Sequence, residues 1–231
     1  MKKWTKLLML IALPAMVFTS CDDDDDDVDL PVAEANVMVV HASPNAPGVD
    51  LYVDNTKVNN AALTYPNNTG YLDVEEGTRN FKVTAAGAGI GSPVINADVD
   101  LESGTSYTVF AADRLSNITP VVLVDDLTPP ASGMAHVRFV HLSPDAPAVD
   151  VVVQGGANLF SDMEFKEATA FMPVDAGNYT VEVQPVNSDD AVVTATLNLQ
   201  AGKIYTVFAK GIVTPQADNT NTLGAEVIMN N

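Results

Sequence analysis

Hydrophobic and polar positions alternate with a period of two residues along much of the chain after residue 35. Runs rich in Val, Thr, Tyr and Phe are separated by Gly, Pro, Asn and Asp at spacings of roughly ten residues. No segment in this part shows a sustained helical period. The pattern predicts an all-β fold with eight strands in the first half of the chain, or seven if one of the weaker middle strands does not form. The strands of the first half are expected near residues 37–42, 49–54, 60–65, 70–74, 79–85, 94–101, 106–112 and 120–125.

The second half of the chain repeats the first. Asn36–Ala42 matches His136–Leu142, and Tyr107–Ala111 recurs unchanged as Tyr205–Ala209. Self-similarity at a fixed spacing indicates a duplicated structural unit. We therefore expect two copies of one domain, each of about 95 residues, which is a normal size for a small β-sandwich.

The repeat also predicts the domain boundaries. Thr128–Gly133 is rich in Pro, Ser and Gly and indicates a linker. In the second copy the last strand, Ala225–Met229, is delayed by the polar insertion Gln216–Thr222, for which we expect a longer exposed loop. The predicted organisation is a signal peptide at 1–20, a lipidated Cys with an acidic disordered tether at 21–35, a first β-sandwich at 36–127, a linker at 128–134 and a second β-sandwich at 135–231.

Both copies share the spacing Leu-x-x-Gly-x-x-Tyr, at Leu101–Tyr107 and Leu199–Tyr205. It resembles the tyrosine corner of immunoglobulin-like sandwiches, in which a Tyr bonds back to the backbone of the preceding turn. Tyr107 and Tyr205 are the corner residues. Two tandem immunoglobulin-like β-sandwich domains are the predicted architecture, with a jelly roll or a small barrel as the alternatives.

One ten-residue stretch is repeated closely and carries residue types that suggest catalysis. HASPNAPGVD at 41–50 returns as HLSPDAPAVD at 141–150, identical at seven of ten positions. A histidine, a serine and an aspartate together raise the question of a hydrolase. The candidate residues are His41, Ser43, Asp50, His141, Ser143 and Asp150.

The alternation of side chains argues for a structural motif. Val137, Phe139 and His141 share one face of their strand, and Arg138 lies on the other. If Arg138 reaches water, then His141 faces the core. Asp150 lies on the outer face of the next strand, and the Ser lies in a turn locked by two prolines. A catalytic relay needs the three side chains bonded in sequence. We therefore predict no catalytic residues and no enzyme activity.

A metal site is not expected either. The part of the chain after residue 35 has three histidines, and His136 and His141 lie five apart on a strand, so they face opposite sides. Cys21 is the one cysteine of the sequence, so no Cys-based site is available to the folded part. No cofactor is predicted.

The N-terminus has the features of a targeting segment. Three lysines precede the apolar run Leu7–Phe18, which is shorter than the roughly 20 residues of a membrane span. Thr19, Ser20 and Cys21 follow and resemble the lipobox of bacterial lipoproteins, which implies lipidation of Cys21 and a membrane partner through that anchor. An ordinary secretory signal with an incidental cysteine is the alternative.

Six consecutive aspartates, Asp22–Asp27, come directly after the cysteine. Like charges at this density repel one another and predict an extended tether. The run resembles the acidic export signal that places some lipoproteins on the outer face of the outer membrane. We therefore predict a surface-exposed outer-membrane lipoprotein of a Gram-negative cell. A calcium site is the weaker alternative, because calcium needs ligands folded around it.

The formal net charge of −19 excludes one class of partner. Nucleic acid repels such a chain. The partners left open are a protein or a glycan.

With its motif His-x-Ser-Pro-(Asn/Asp)-Ala-Pro-x-Val-Asp, the chain resembles the bacterial family of unknown function numbered 4397 over roughly residues 36–231. The resemblance implies a secreted or envelope-anchored protein and names no mechanism. The predicted function is a non-enzymatic, lipid-anchored envelope protein whose sandwiches act as a spacer or interaction module. The alternative is a carbohydrate-binding accessory lipoprotein, for which Tyr52, Tyr65, Tyr71 and Phe160 are the aromatic candidates.

Overall fold

The computed structural model describes residues 32–217 and 219–231. The predicted signal peptide, Cys21 and the aspartate run lie outside the described residues. Residues Val32–Asn231 form one compact unit. In the described part of the chain, no helix is long and apolar enough to cross a bilayer.

The first repeat folds into eight strands arranged in two four-stranded sheets. The order is β4-β1-β7-β8 in one sheet and β3-β2-β5-β6 in the other. Strands β1 and β7 are parallel, and the other pairs are antiparallel. The strands are β1 (Glu34–His41), β2 (Val49–Val53), β3 (Thr56–Lys57), β4 (Asn68–Glu75), β5 (Gly77–Ala85), β6 (Ile95–Leu101), β7 (Ser106–Ala112) and β8 (Thr119–Asp125).

The second repeat reproduces this topology, with sheet orders β12-β9-β15-β16 and β11-β10-β13-β14. Its parallel pair is β9 with β15. The strands are β9 (Met134–His141), β10 (Val149–Val153), β11 (Asn158–Met163), β12 (Met172–Asp175), β13 (Gly177–Pro185), β14 (Val193–Leu199), β15 (Ile204–Lys210) and β16 (Gly224–Met229).

The prediction of an all-β chain with two tandem sandwiches is confirmed. The sheets are open, so the barrel alternative does not apply. The likeness to immunoglobulin domains lies in the sandwich and not in the strand order. In the immunoglobulin constant order the first strand pairs with the second. Here β1 lies between β4 and β7.

The strand predicted at 60–65 is wrong. Only Leu63 of that segment forms a bridge, to Val49. The Asn59 side chain takes the place of a neighbouring strand along β2: its Oδ1 accepts from the amide of Leu51 at 2.8 Å, and its Nδ2 donates to the carbonyl of Val49 at 3.0 Å. An amide side chain that satisfies backbone groups in this way competes with a regular ladder. The short β3 is the strand that actually pairs with β2.

Each sandwich has its own core between its two sheets. In the first repeat the core includes Val37, Val39, Phe81 and Val109. In the second it includes the corresponding Val137, Phe139, Val181 and Val207. Burying these apolar side chains is the main favourable term that holds the two sheets of each repeat together.

A third cluster of buried side chains joins the two repeats. Phe110 and Phe208 occupy equivalent positions in β7 and β15, and their rings meet at 5.6 Å between centroids. Sheets β4-β1-β7-β8 and β12-β9-β15-β16, hereafter the inner sheets, therefore pack against each other and leave the other two sheets outside. Contact between equivalent residues is typical of an isologous interface. The cluster consists of Met38, Val40, Ala42, Phe110, Ala112, Val140, Leu142, Phe208 and Ile228.

Candidate functional site

The repeated motif forms the turn from β1 to β2 and from β9 to β10, and its histidine closes that turn. His41 Nε2 lies 2.9 Å from the carbonyl oxygen of Pro47, and His141 Nε2 lies 3.1 Å from that of Pro147. A carbonyl only accepts, so Nε2 carries the proton in both rings. Both side chains are fully buried, and this burial lowers the pKa of each. Each inward histidine is therefore a neutral brace across its own turn.

The serines of the two turns are buried in the same place but differ in their bonds. Ser143 Oγ donates to the carbonyl of Gly211 at 2.9 Å. Ser43 Oγ is equally buried, and no hydrogen bond reaches it from the described residues. Neither hydroxyl bonds to a histidine side chain or faces solvent, as an attacking nucleophile must.

The two aspartates of the motif fix neighbouring backbone. Asp50 accepts from the amide of Gly87 at 2.9 Å and pairs with Lys57 at 2.8 Å, and these bonds hold the pKa of its carboxyl below the usual range. Asp150 accepts from the amide of Asp162 at 2.8 Å. In neither copy do the His, Ser and Asp side chains hydrogen-bond to one another, so they form no relay.

One polar position differs between the turns, with Asn45 in the first and Asp145 in the second, but both side chains accept a hydrogen bond from an equivalent backbone amide. Asn45 Oδ1 accepts from the amide of Leu115 at 2.8 Å, and Asp145 Oδ1 accepts from the amide of Val213 at 2.9 Å. Leu115 and Val213 are equivalent residues just after β7 and β15. This side chain therefore ties the motif turn to the loop that leaves the parallel partner strand.

The tyrosine corners are formed in both repeats. The hydroxyl oxygen of Tyr107 accepts from the amide of Glu102, and that of Tyr205 from the amide of Gln200, both at 3.1 Å. Gly104, between Glu102 and Tyr107, has a φ of 71°, a backbone conformation that glycine adopts without steric cost.

The expectation that Arg138 reaches water is wrong. Its side chain is 3 % exposed, and its Nη2 pairs with Oδ1 of Asp125 at 2.6 Å across the two inner sheets. Its Nε donates to Thr206 Oγ1 at 2.8 Å, and the guanidinium lies 4.4 Å from the ring centroid of Phe171. Both faces of β9 are therefore buried, one in its own sandwich and the other against the first repeat.

The buried ion pair belongs to a closed circuit of hydrogen bonds. Asp125 Oδ2 accepts from Tyr71 at 2.5 Å and from Thr108 at 2.6 Å. Asn230 accepts from Thr206 at 2.8 Å and donates to the Tyr71 hydroxyl at 3.0 Å. Burial raises the pKa of Tyr71, so its hydroxyl stays protonated and donates to the carboxylate. Each polar side chain at the centre of the interface thus has a polar partner, and Asp125 Oδ1 and Arg138 Nη2 meet as an ion pair without an aligned hydrogen bond.

A polar cleft of about 460 Å³ opens beside this interface. One wall is the first motif turn, residues 44–47. The other is formed by the described residues of the β15–β16 connection, 211–217 and 219–223, hereafter the insertion loop. Asn219 and Asn221 donate from their side-chain amides to the carbonyl of Pro44, at 3.1 and 2.7 Å. The predicted insertion is thus not a free loop, because it docks on the first repeat.

The charge of the cleft comes from Arg114. Its Nη2 pairs with Asp145 Oδ2 at 3.0 Å, and Asp145 also accepts from the amide of Thr214 at 3.3 Å. Asp145, in the second motif turn, therefore fixes the position of Arg114, which lines the cleft beside the first motif turn. The complete lining is Pro44, Asn45, Ala46, Pro47, Arg114, Ile212, Thr214, Gln216, Asn219 and Asn221.

Three of the four aromatic residues expected as sugar platforms are used in packing. Phe160 stacks on Phe139 in the core of the second sandwich, with ring centroids 6.1 Å apart. Tyr65 meets His41 edge-on at 6.1 Å, and Tyr71 belongs to the buried circuit. Tyr52 remains partly exposed. Within the described ranges, no group of three or more His, Cys, Asp and Glu side chains could hold a metal ion.

The sequence contained a signal for the interface that the argument from alternating side chains missed. Val37–Val40 is a run of four apolar residues without alternation. Strand β1 ends in five consecutive buried residues, and β15 has six. A strand buried on both faces gives a continuous apolar run instead of alternation. That run indicated a second partner for each inner sheet.

Comparison with family models identifies the chain. The model described as "Domain of unknown function (DUF4397)" matches residues 35–152 and again residues 151–228. The chain belongs to this family. The first matched range of the DUF4397 model includes both motif turns, and the two ranges meet within β10. The family description names no activity, so the function has to be argued from the sites.

No curated protein matches the chain significantly. Among solved structures, it is weakly similar to the Bacillus anthracis TIE protein, with 13 % identity and a TM-score of 0.25, over 78 % of this chain and 34 % of that one. This DUF4397 chain thus spans about a third of the TIE structure. A structure described as "Alpha-glucan binding by a streptococcal virulence factor" also has 13 % identity and a TM-score of 0.25, over 76 % of this chain and 92 % of that one. Likenesses at this level do not bear on function.

Proposed function

We propose that this DUF4397 protein is a non-enzymatic, lipid-anchored protein of the cell envelope whose two sandwiches form one interaction module. The observation that carries the proposal is the use of the repeated His, Ser and Asp. His41, His141, Ser143, Asp50 and Asp150 all bind backbone groups of their own repeat. Residues committed to such bonds stabilise a scaffold and are not free for acyl transfer.

The interface between the repeats supports a module that acts as one body. Burial of apolar side chains favours docking of the repeats, and an ion pair buried among them favours one relative orientation, because either charge without its partner would be buried unpaired. Arg138 and Asp125 form such a pair amid the Phe110–Phe208 cluster. Two independent domains joined by a flexible linker are the less favoured arrangement. A surface formed by residues of both repeats therefore keeps a fixed geometry.

The anchor is inferred from the sequence. Cys21 stands after an apolar segment of signal-peptide length and ahead of the aspartate run, which would act as a charged tether. Two acyl chains suffice for stable membrane attachment. We place the mature protein on the outer membrane of a Gram-negative cell, with its sandwiches facing outward.

A second candidate is a carbohydrate-binding accessory lipoprotein. The observation that favours it is the cleft between the first motif turn and the insertion loop. It is lined mainly by amide, hydroxyl and proline side chains and lies at a domain interface, a frequent position for ligand sites.

The test is expression of the full chain in a Gram-negative host with radiolabelled palmitate. Wild type and the control Ser20→Ala should incorporate label and partition with outer membranes, and Cys21→Ser should do neither. Protease added to intact cells should remove the sandwiches. Release of unlabelled wild-type protein into the medium, or protection until the outer membrane is broken, contradicts the anchor or its orientation. Ester hydrolysis that disappears in a folded Ser143→Ala variant contradicts the non-enzymatic assignment.

A further inference from the structure

We propose that the cleft between the first motif turn and the insertion loop is a binding site for a neutral, polyhydroxylated ligand, a short segment of an uncharged glycan. The inference rests on the proposed role as an interaction module and gives it a site and a ligand class.

The cleft exists where the two repeats differ most. The β7–β8 connection of the first repeat covers residues 113–118 and contains a short 3-10 helix, whereas the β15–β16 connection covers residues 211–223. The additional residues do not serve the second sandwich alone. They reach across to the carbonyl of Pro44 and form a wall of the cleft. The scaffold of the first repeat is complete without such an insertion, so the extra loop is available for a separate task.

The polar groups of the cleft are held in place while part of their bonding capacity stays open. Each of Asn219 and Asn221 uses one amide hydrogen on Pro44 and has a second donor that meets no acceptor among the described residues. Arg114 uses one nitrogen on Asp145, out of five N–H donors. Fixing side chains before the ligand arrives lowers the entropic cost of binding.

The charge of the site favours a neutral ligand. Arg114 is the one charged residue of the lining among the described residues, and its partner Asp145 compensates it. A free cation would meet the guanidinium. An anion would find that guanidinium already paired with Asp145 and would face the negative field of a chain with a net charge of −19. An apolar ligand would leave Gln216, Thr214 and the two asparagines without partners, which is costly when they are desolvated.

The walls favour a saccharide over a peptide. Peptides that bind to β-proteins commonly add a strand to a free sheet edge. This cleft is bounded by a turn and a loop, and no strand residue lines it. Pro44, Ala46, Pro47 and Ile212 supply rigid apolar surface beside the amides. A volume of about 460 Å³ falls within the usual range of small-ligand sites, roughly 300–1,000 Å³.

The test is isothermal titration calorimetry on the purified full chain. The chain is titrated with a panel of neutral linear oligosaccharides of glucose, mannose, galactose and N-acetylglucosamine. The panel is used up to about 10 mM, which detects a Kd of about 1 mM. At least one neutral oligosaccharide should bind, with little dependence on salt. An anionic oligogalacturonate, included for contrast, should not bind.

Two variants place the binding in the cleft. Ala46→Trp fills it and should lower affinity at least about tenfold, whereas the matched Ala146→Trp, in the second motif turn, should leave affinity unchanged. Gln216→Ala removes a side chain from the rim and should weaken binding roughly three- to tenfold without affecting the melt, so the test survives if Ala46→Trp does not fold.

Absence of binding to every neutral oligosaccharide, equal affinity in the wild type and both folded cleft variants, or binding of oligogalacturonate alone overturns the inference. A negative panel from a protein that is lipidated and protease-accessible on cells leaves the proposed envelope function standing. Failure of lipidation overturns that function whatever the panel shows.

Discussion

The two motif turns have nearly the same sequence, yet each makes a different contact with the opposite repeat. Within its own repeat each turn is braced by a buried histidine and capped by Asn45 or Asp145. Towards the other repeat, the first turn offers the carbonyl of Pro44 to the insertion loop, and the second offers the Asp145 carboxylate to Arg114. The bonds that both copies make therefore build each turn, and the contacts that differ between the copies join the repeats and form the cleft.

The centre of the interface shows the same division. Thr108 and Thr206 are equivalent and both belong to the buried circuit. Arg138, however, stands where the first repeat has Met38. Because equivalent positions carry different residues, the first repeat pairs with the second better than either repeat would pair with a copy of itself. Polar residues set partner choice in coiled coils in the same way.

The largest effect should come from removing the charge that distinguishes the inner sheets. Arg138→Met gives the second repeat the residue of the first and leaves Asp125 buried without its cation. The free energy of unfolding should fall by about 3–5 kcal/mol, the usual cost of breaking a buried pair. Urea denaturation followed by fluorescence or circular dichroism measures it.

The double variant Arg138→Met with Asp125→Asn is the control. It removes both charges, so it should recover much of the loss. A single variant that unfolds at the same urea concentration as wild type would show that the pair is not part of the folded interface.

The next effect concerns the braces of the two turns. His41→Ala and His141→Ala should each lower the free energy of unfolding by about 1–3 kcal/mol, because a buried carbonyl loses its donor and the packing around it. The cost should be at least as large for His141, whose Nδ1 also accepts from the amide of Ser143 at 3.3 Å. Thermal and urea melts compare the two, with His136→Ala as the matched control. A melt unaffected by either brace variant contradicts the assigned role.

The same histidines predict how stability depends on pH. Burial lowers the pKa of both in the folded state, so the unfolded chain, with a histidine pKa of about 6.5, binds more protons below that value. The contribution of these two histidines to stability should be fully present above about pH 7.5 and should fall on acidification through about pH 6.5, by at most about 1.4 kcal/mol per pH unit for each histidine. The carboxyls whose pKa is lowered, such as Asp50, act in a more acidic window, below about pH 4.

Urea melts between about pH 7 and pH 5 test this expectation. The slope should be smaller in His41→Ala and in His141→Ala than in the wild type. An identical slope in all three proteins would mean that these imidazoles do not titrate between folded and unfolded chains.

The fold was predictable because its determinants are local. Alternation, turn residues and the repeat of Tyr107–Ala111 at Tyr205–Ala209 all point to two sandwiches, and the sandwiches form. Strand 60–65 failed because one side chain, Asn59, satisfies the backbone groups that the strand was expected to satisfy.

The interface was not predicted because the argument from alternating side chains assumed that each sheet has only one buried face. Under that assumption Arg138 had to reach water, and the conclusion that His141 faces the core was reached from a wrong premise. Pairing of Arg138 with Asp125 and of Asn221 with Pro44 depends on how two repeats dock. No period within either repeat encodes that arrangement, so the cleft could not be located from the sequence.

The smallest effect should come from exchanging the one polar difference between the turns. Asp145→Asn keeps an oxygen for the amide of Val213 but loses the charge that holds Arg114, a pair that is about a quarter to a third exposed. Its cost should be about 0.2–1 kcal/mol and should shrink in high salt, as for other partly exposed pairs. Asn45→Asp should change stability by less than about 0.5 kcal/mol, because the carboxylate accepts from Leu115 as the amide does. Urea melts at low and high salt separate the two. Equal losses in both variants, independent of salt, would mean that the turns differ by something other than the contact each makes with its neighbour.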